Sequence, residues 1–203
     1  MKGVLLLSGG FDSPVAGWLM KKKGMELIAV NISLRPFTKE SDEEKPKKLA
    51  KMIGCKKLYI VPQGEAHAEI VKKCEHRFYY VLTKRLMLRI AEKIAEQEKC
   101  DFIITGDNLG QVGSQTLENI NVISKATKMT ILRPLLTEDK QEILDLAKKI
   151  GTYETSCGPE LCSILGPKHP ATRTKVEVIE MEEKKIDSDA IVEKSVKDSI
   201  VYM

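Results

Sequence analysis

The sequence predicts an α/β fold: a parallel twisted sheet of about five strands with helices on both faces. Three observations carry that expectation. Short, largely apolar runs at residues 4–7, 27–32, 57–61, 102–105 and 129–132 have the length and character of strands buried on both sides. The segments between them carry helical signals, so strand and helix alternate. Two of the strands end in glycine-marked turns, the usual position of a ligand site in such a sheet.

Each element has its own reason. The run at 4–7 stops abruptly at Ser8-Gly9-Gly10, and Pro14 then fits the first turn of a helix, where its missing N–H costs nothing. That helix ends in three lysines and Gly24, basic residues at its negative end followed by a stop. After the second strand, a polar stretch at 38–48 leads into a helix near 47–53. A long helical region follows at 66–73 and 78–96. In the second piece Leu82, Leu86, Arg89, Ile90 and Ile94 share roughly one face. Composition alone makes Lys84, Arg85 and Arg89 a solvated basic face, and His67 and His76 surface residues without the spacing of a metal pair. A last long helix is expected at 137–150, with Thr137 as its N-cap and Glu138 and Asp139 in its first turn. Beyond Gly151 the regularity fails, and 157–170 reads as loop.

The bulk composition narrows the function classes. Of 203 residues, 42% are hydrophobic and 31% charged, the balance of a soluble globular chain. Formal net charge is +4, too small an excess to argue for nucleic acid without local clustering. No run is long enough to cross a bilayer, and the first apolar stretch has no basic leader or cleavage site, so no membrane partner is expected. Five cysteines, at 55, 74, 100, 157 and 162, suit neither a disulfide framework nor a paired zinc motif. A reducing cytoplasm is the simplest setting.

Two turns carry chemistry. In Ser8-Gly9-Gly10-Phe11-Asp12-Ser13 the glycines let backbone N–H groups converge on an anion, and the following helix adds its positive end. Ser8 and Ser13 offer hydroxyls. Asp12 repels phosphate directly and makes sense if a Mg²⁺ ion bridges it to phosphate oxygens. The familiar phosphate loop ends in Gly-Lys-Ser/Thr, and this one has no lysine. The second turn spans 105–116, TGDNLGQVGSQT, where three glycines sit among Gln111, Ser114, Gln115 and Thr116. The bland alternative for it is a surface loop with a helix capped at Ser114.

With these blocks in view the chain resembles the PP-loop ATP pyrophosphatases, and within them the tRNA 4-thiouridine synthetase (ThiI) family. The resemblance rests on SGGFDSPVAG, TGDNLGQVGSQTLENI, LRPLLTEDKQEIL and IGTYETS in that order, and continues through PELCSILGPKHP. It implies an adenine nucleotide alpha hydrolase-like, Rossmann-like fold, with residues 1–172 as the PP-loop domain and 173–203 as a small peripheral element of it. It also implies an activity: ATP adenylates O4 of a tRNA uridine, pyrophosphate leaves, and sulfur displaces AMP. By the resemblance Ser8, Gly9, Gly10, Asp12 and Ser13 hold pyrophosphate and its Mg²⁺. Leu6, Leu7, Asn31 and Ile32 line the adenosine site through their backbones, and Gly106 and Gln115 contact the nucleotide. Lys84 offsets charge on the α-phosphate. Asp12, Lys84 and Cys162 are the expected catalytic residues.

Cys162 lies near Lys168 and His169 in sequence, and nearby cations raise a thiolate fraction. By the resemblance it takes part in sulfur transfer from a persulfide or sulfide donor. Cys55, Cys74 and Cys100 read as small buried hydrophobes. Some related thiolating enzymes hold an iron–sulfur cluster on three cysteines. Here only Cys74, Cys157 and Cys162 could meet, without a C-x-x-C pair to support it. The PP-loop begins within ten residues of Met1, so the THUMP region of full-length members is expected to be absent, as is the rhodanese domain of some members. The basic clusters 21–23 and 168–175 are small, and useful grip on tRNA would want roughly six phosphate contacts. A separate THUMP-type RNA-binding partner, or a homodimer that doubles the patch, is therefore expected. Two other readings stay open: a PP-loop ligase acting on a small molecule, and a nucleotide-binding subunit of an RNA-modification complex.

Overall fold

The computed structural model describes residues 1–158 and 165–203. Among these residues six strands form a single sheet in the order β5-β4-β1-β2-β3-β6. They are β1 (Lys2–Leu6), β2 (Glu26–Ser33), β3 (Lys57–Pro62), β4 (Phe102–Ile104), β5 (Ile131–Leu132) and β6 (Ile200–Tyr202). The first five run parallel, and β6 pairs antiparallel with β3, setting Leu58 against Tyr202 and Ile60 against Ile200. The expectation of about five strands did not include β6, a three-residue edge strand at the end of the charged C-terminal stretch.

Side chains along a strand alternate between faces, so each buried strand feeds two cores. Val4, Ile28, Val30 and Val61 join one cluster, with Ile70 of α3 (Gly64–Lys73) and Leu82, Leu86 and Ile90 of α4 (Tyr79–Glu98). Leu5, Leu27, Ala29 and Ile60 join the other, with Val15 of α1 (Asp12–Lys22), Leu49 of α2 (Glu44–Met52) and Ile143 of α6 (Lys140–Lys149). Helices on both faces follow directly from strands that are apolar on both sides.

Between these lie α5 (Leu117–Ser124) and, after α6, the short α7 (Tyr153–Ser156). The charged C-terminal stretch forms α8 (Val176–Glu183) and α9 (Ser188–Lys197) before β6. Two caps are set by residues other than the expected Thr137 and the alternative Ser114. Asp139, not Thr137, caps α6, its carboxylate accepting from Gln141 N at 2.7 Å. Thr116, not Ser114, caps α5, accepting from Asn119 N at 3.2 Å. In both cases the acceptor nearest the first helical turn wins, because only it reaches the unpaired N–H groups.

The basic face of α4 is only partly solvated. Lys84 and Arg89 are half-buried, but Arg85 is 1% exposed. Its guanidinium grips Glu183 of α8 with two bonds of 2.8 Å and donates from Nη1 to the Val122 carbonyl of α5 at 2.6 Å. Arg89 adds a bond of 2.9 Å to the same carboxylate. A buried guanidinium is tolerated only when its donors are matched, and here one carboxylate and one helix carbonyl do so. The histidines also separate. His76 is exposed as expected, while His67 on α3 is 2% exposed, its Nδ1 lying 2.8 Å from the Tyr79 hydroxyl of α4. Burial lowers its pKa to about 4.

Two outcomes follow. Glu183→Ala strands Arg85 as an uncompensated buried charge and should lower unfolding free energy by about 3 kcal/mol in urea titrations. His67 is protonated more readily in the unfolded chain than in the fold. Its contribution is therefore complete above the ordinary histidine pKa of 6.5 and is lost as pH falls towards 4, up to about 3 kcal/mol. Unfolding curves at pH 7 and pH 4.5 should show a steeper acid loss for the native chain than for His67→Phe.

Candidate functional site

The strand order changes direction at β1, which has β2 on one side and β4 on the other. Crevices in parallel sheets open at such points, beyond the carboxyl ends of the strands. Both glycine turns stand there, one after β1 and one after β4. They touch backbone to backbone. A Cβ placed on Gly106 would lie 2.7 Å from Ser13 N and 2.8 Å from the Asp12 carbonyl carbon. No residue but glycine fits without moving main chain.

The first turn is held by its own hydroxyls. Ser8 N donates to Ser13 Oγ at 2.8 Å, the two hydroxyl oxygens lie 3.0 Å apart, and Gly10 N donates to Ser8 Oγ at 3.2 Å. The serines thus shape the loop. Phe11, the residue before α1, gives no side-chain cap, so the helix's first N–H groups are left to an external acceptor.

The lysine missing from the loop arrives from elsewhere. Lys140, the first residue of α6, places Nζ 2.8 Å from Asp12 Oδ1 and 3.3 Å from Gln111 Oε1. Lys45 of α2 crosses Gly9, its Cδ lying 2.7 Å from where a Gly9 Cβ would be, and donates to the Ser156 carbonyl at 3.1 Å. Ser156 in turn donates to the Gly10 carbonyl at 3.3 Å. Neither lysine was singled out from the sequence. Lys45 lies in a charged stretch without periodicity. Lys140 belongs to the LRPLLTEDKQEIL block, but only the packing of α6 against α1 shows what it faces.

Behind the second turn stands a compact charge cluster. Asp107 receives Lys84 Nζ at 2.8 Å, Thr105 Oγ1 at 2.9 Å and Arg133 Nε at 3.2 Å. Burial would push its carboxyl up, but Lys84, Thr105 and Arg133 outweigh that and hold it down at about 2. Lys84 is therefore fixed one residue from Gly106, and through it to the first turn. Among the described residues Gln115, which is buried, has no partner for its Oε1, and buried Gln111 Nε2 has none either.

A cavity of about 360 Å³ opens beside the first turn. Ser8, Gly9, Gly10, Asn31 and Ile32 line it, joined by Leu34, Glu43, Lys45, His67 and Met87. Leu6 and Leu7 lie behind it: Leu7 N donates to Val30 O, and the Leu7 carbonyl accepts from Asn31 Nδ2 at 2.9 Å. Asp12 offers one half-buried carboxylate, which suits a Mg²⁺ ion held by few protein oxygens and completed by phosphate. Among the described residues no group of three His, Cys, Asp or Glu could hold a metal by itself.

Cys162 lies outside the described residues. Cys157 is exposed, and buried Cys74 donates Sγ–H to the Glu182 carbonyl at 3.5 Å. Burial pushes the Cys55 thiol up to about 12 and Cys100 to about 11, which keeps both as inert thiols. Among the described residues no helix is long and apolar enough to cross a membrane.

Gly106→Ala should cost about 1–3 kcal/mol, since its methyl meets immovable main chain. Gly113→Ala, whose methyl would meet only side chains, Pro170 at 3.1 Å and Thr172 at 3.7 Å, should cost clearly less in the same urea titration.

Comparison with known proteins agrees with this architecture. A family model described as thiamine biosynthesis protein (ThiI) matches residues 1–188. A probable tRNA sulfurtransferase of Alkaliphilus oremlandii (strain OhILAs) is 43% identical over 197 residues, covering 94% of this chain and 50% of the relative. That of Thermoanaerobacter sp. (strain X514) is 45% identical over 190 residues, covering 90% and 50%. A solved 4-thiouridine synthetase in complex with RNA and bound ATP is 39% identical, with a TM-score of 0.93 over 99% of this chain and 54% of that one. The NMN synthetase of Francisella tularensis, 17% identical over 97% of this chain and 83% of its own, shares the fold with a TM-score of 0.59. The chain spans about half the length of the curated relatives it matches. With the family model covering nearly all of it and the two glycine turns joined at the switch of the sheet, the chain belongs to the ThiI family.

Proposed function

We propose that this chain adenylates a tRNA uridine with ATP, releasing pyrophosphate, as the activating step of 4-thiouridine formation. The observation that carries the reading is the backbone contact between Gly106 and Asp12-Ser13, which joins two anion-receptive turns into one site. The resemblance to a 4-thiouridine synthetase solved with ATP and RNA supports it. Residues 1–172 serve as the PP-loop domain, with 173–203 as a peripheral element of the same unit.

Uridine is a poor substrate for substitution because its O4 leaves badly. Attack of O4 on the α-phosphorus, with loss of pyrophosphate, converts that oxygen into part of a good leaving group. Sulfur then takes its place and AMP departs. The residues supply position and charge. The amides of Gly9 and the start of α1, and that of Gly10 on release from Ser8 Oγ, receive the pyrophosphate, with Lys140 and Lys45 at hand to offset its charge. Asp12 would hold Mg²⁺, which neutralises phosphate oxygens when bound. Lys84, kept in place by Asp107, faces the charge that grows on the α-phosphate. Gln115, with its unpartnered oxygen, and Asn31 and Ile32 contact the nucleoside. Leu6 and Leu7 set the floor of that site through the β1 backbone.

Cys162 resolves the sulfur from a persulfide donor, or sulfide enters directly. Capture of tRNA calls for more basic surface than the chain offers, from a THUMP-type partner or a second copy, in the cytoplasm.

The test is AMP and thiolated-uridine formation from tRNA, Mg²⁺, ATP and sulfide. No AMP and no thiolated uridine, even with a THUMP-type partner added, would sink the reading. Asp12→Ala should abolish AMP formation, and Lys84→Ala should slow it at least 100-fold, about 3 kcal/mol of transition-state stabilisation. Cys162→Ser should spare AMP formation and block sulfur transfer from a persulfide.

A further inference from the structure

Among the described residues, two buried side-chain atoms in the cavity have no partner. One is His67 Nε2. The ring is 2% exposed, edge-on to Tyr79 with centroids 5.6 Å apart, and Nδ1 is committed to the Tyr79 hydroxyl at 2.8 Å. The other is Glu43 Oε2. Its carboxylate is 1% exposed, and Oε1 is engaged by Ser33 Oγ at 2.8 Å and Arg35 Nε at 2.7 Å. Leaving a buried polar atom unmatched costs about 1–3 kcal/mol each. Both residues line the one cavity that also contains Ser8, Gly9 and Gly10. A ligand with phosphates at those glycines extends its nucleoside towards the end of β2, where Asn31, Ile32 and Leu34 give apolar and backbone surface.

We propose that His67 reads the nucleobase through Nε2 and selects adenine, with Glu43 Oε2 as a second acceptor in the same cavity. The inference rests on the cavity being an ATP site. The chemistry separates the purines. A neutral imidazole has one donor and one acceptor nitrogen, and Nε2 takes whichever role Nδ1 leaves it in the contact with the Tyr79 hydroxyl. If Nε2 accepts, it takes the N6–H of adenine, where guanine presents another acceptor, O6. If Nε2 carries the proton, it donates to N1 of adenine, where guanine presents another donor. At the base atom that each of these two pairings uses, adenine matches and guanine opposes. Facing the 6-position of the base, a carboxylate oxygen accepts from the adenine amine and is repelled by guanine O6. No local pattern in QGEAHAEI marks His67, because its role arises only where α3 packs on α4.

Calorimetric titration of the full chain with ATP, GTP and inorganic pyrophosphate tests this, using His67→Phe and His67→Gln. Phenylalanine keeps the ring against Tyr79 and deletes Nε2, while glutamine keeps a donor and an acceptor. His67→Phe should weaken ATP binding about fivefold to tenfold, leave pyrophosphate binding unchanged and narrow the ATP-to-GTP preference. His67→Gln should restore most of that preference. An unchanged preference in His67→Phe, or equal loss of ATP and pyrophosphate, overturns the role of His67 while the ATP site stands. Failure of the native chain to bind ATP or pyrophosphate overturns both.

Discussion

Everything at the site depends on the bare Cα of Gly106. Its approach to the main chain of Asp12 and Ser13 brings together turns from strands about a hundred residues apart in sequence. Hydrogen-bonded pairing of β1 with β4 sets their height, and the missing side chain lets them close. The serine hydroxyls of the first turn and the Thr105–Asp107 bond of the second then stiffen each half locally. The result is a surface of amides and helix start that needs little rearrangement to receive an anion.

Charge is arranged around this frame rather than within it. Asp107 keeps Lys84 and Arg133 in place, so two cations share one buried carboxylate and the cluster remains net positive beside the site. Lys140 rests on Asp12, and Lys45 reaches over Gly9 to the Ser156 carbonyl. Phosphate-binding loops that carry their own lysine tie charge and geometry to one short stretch. Here α2, α4 and α6 contribute separately, so each cation answers to its own helix.

The fold was largely legible because strands apolar on both sides and glycine stops are local signals. The first and second turns, with Asp12, Gly106 and Gln115, were legible as motifs for the same reason. Arg85 was not: its burial depends on Glu183, almost a hundred residues away. His67 was misread as a surface residue because a single histidine on a mixed helix has no periodicity that marks a face. Lys45 and Lys140 look like ordinary charged residues until α2 and α6 are packed. Strand β6 escaped because it follows a charged stretch read as a small peripheral element, and only its antiparallel pairing with β3 brings it into the sheet.

That last strand has a consequence for how the chain reaches its fold. β3 gains its outer partner only when Ile60 meets Ile200, 140 positions downstream. Until then a nascent or partly unfolded chain presents the apolar edge of Leu58 to Ile60 to any passing strand. Pairings of such long sequence separation form late, after the local helices and the β1–β2–β3 units. The sheet thus has its most aggregation-prone interval in the time between synthesis of β3 and docking of β6, and the short antiparallel strand acts as the closing seal of the folding reaction.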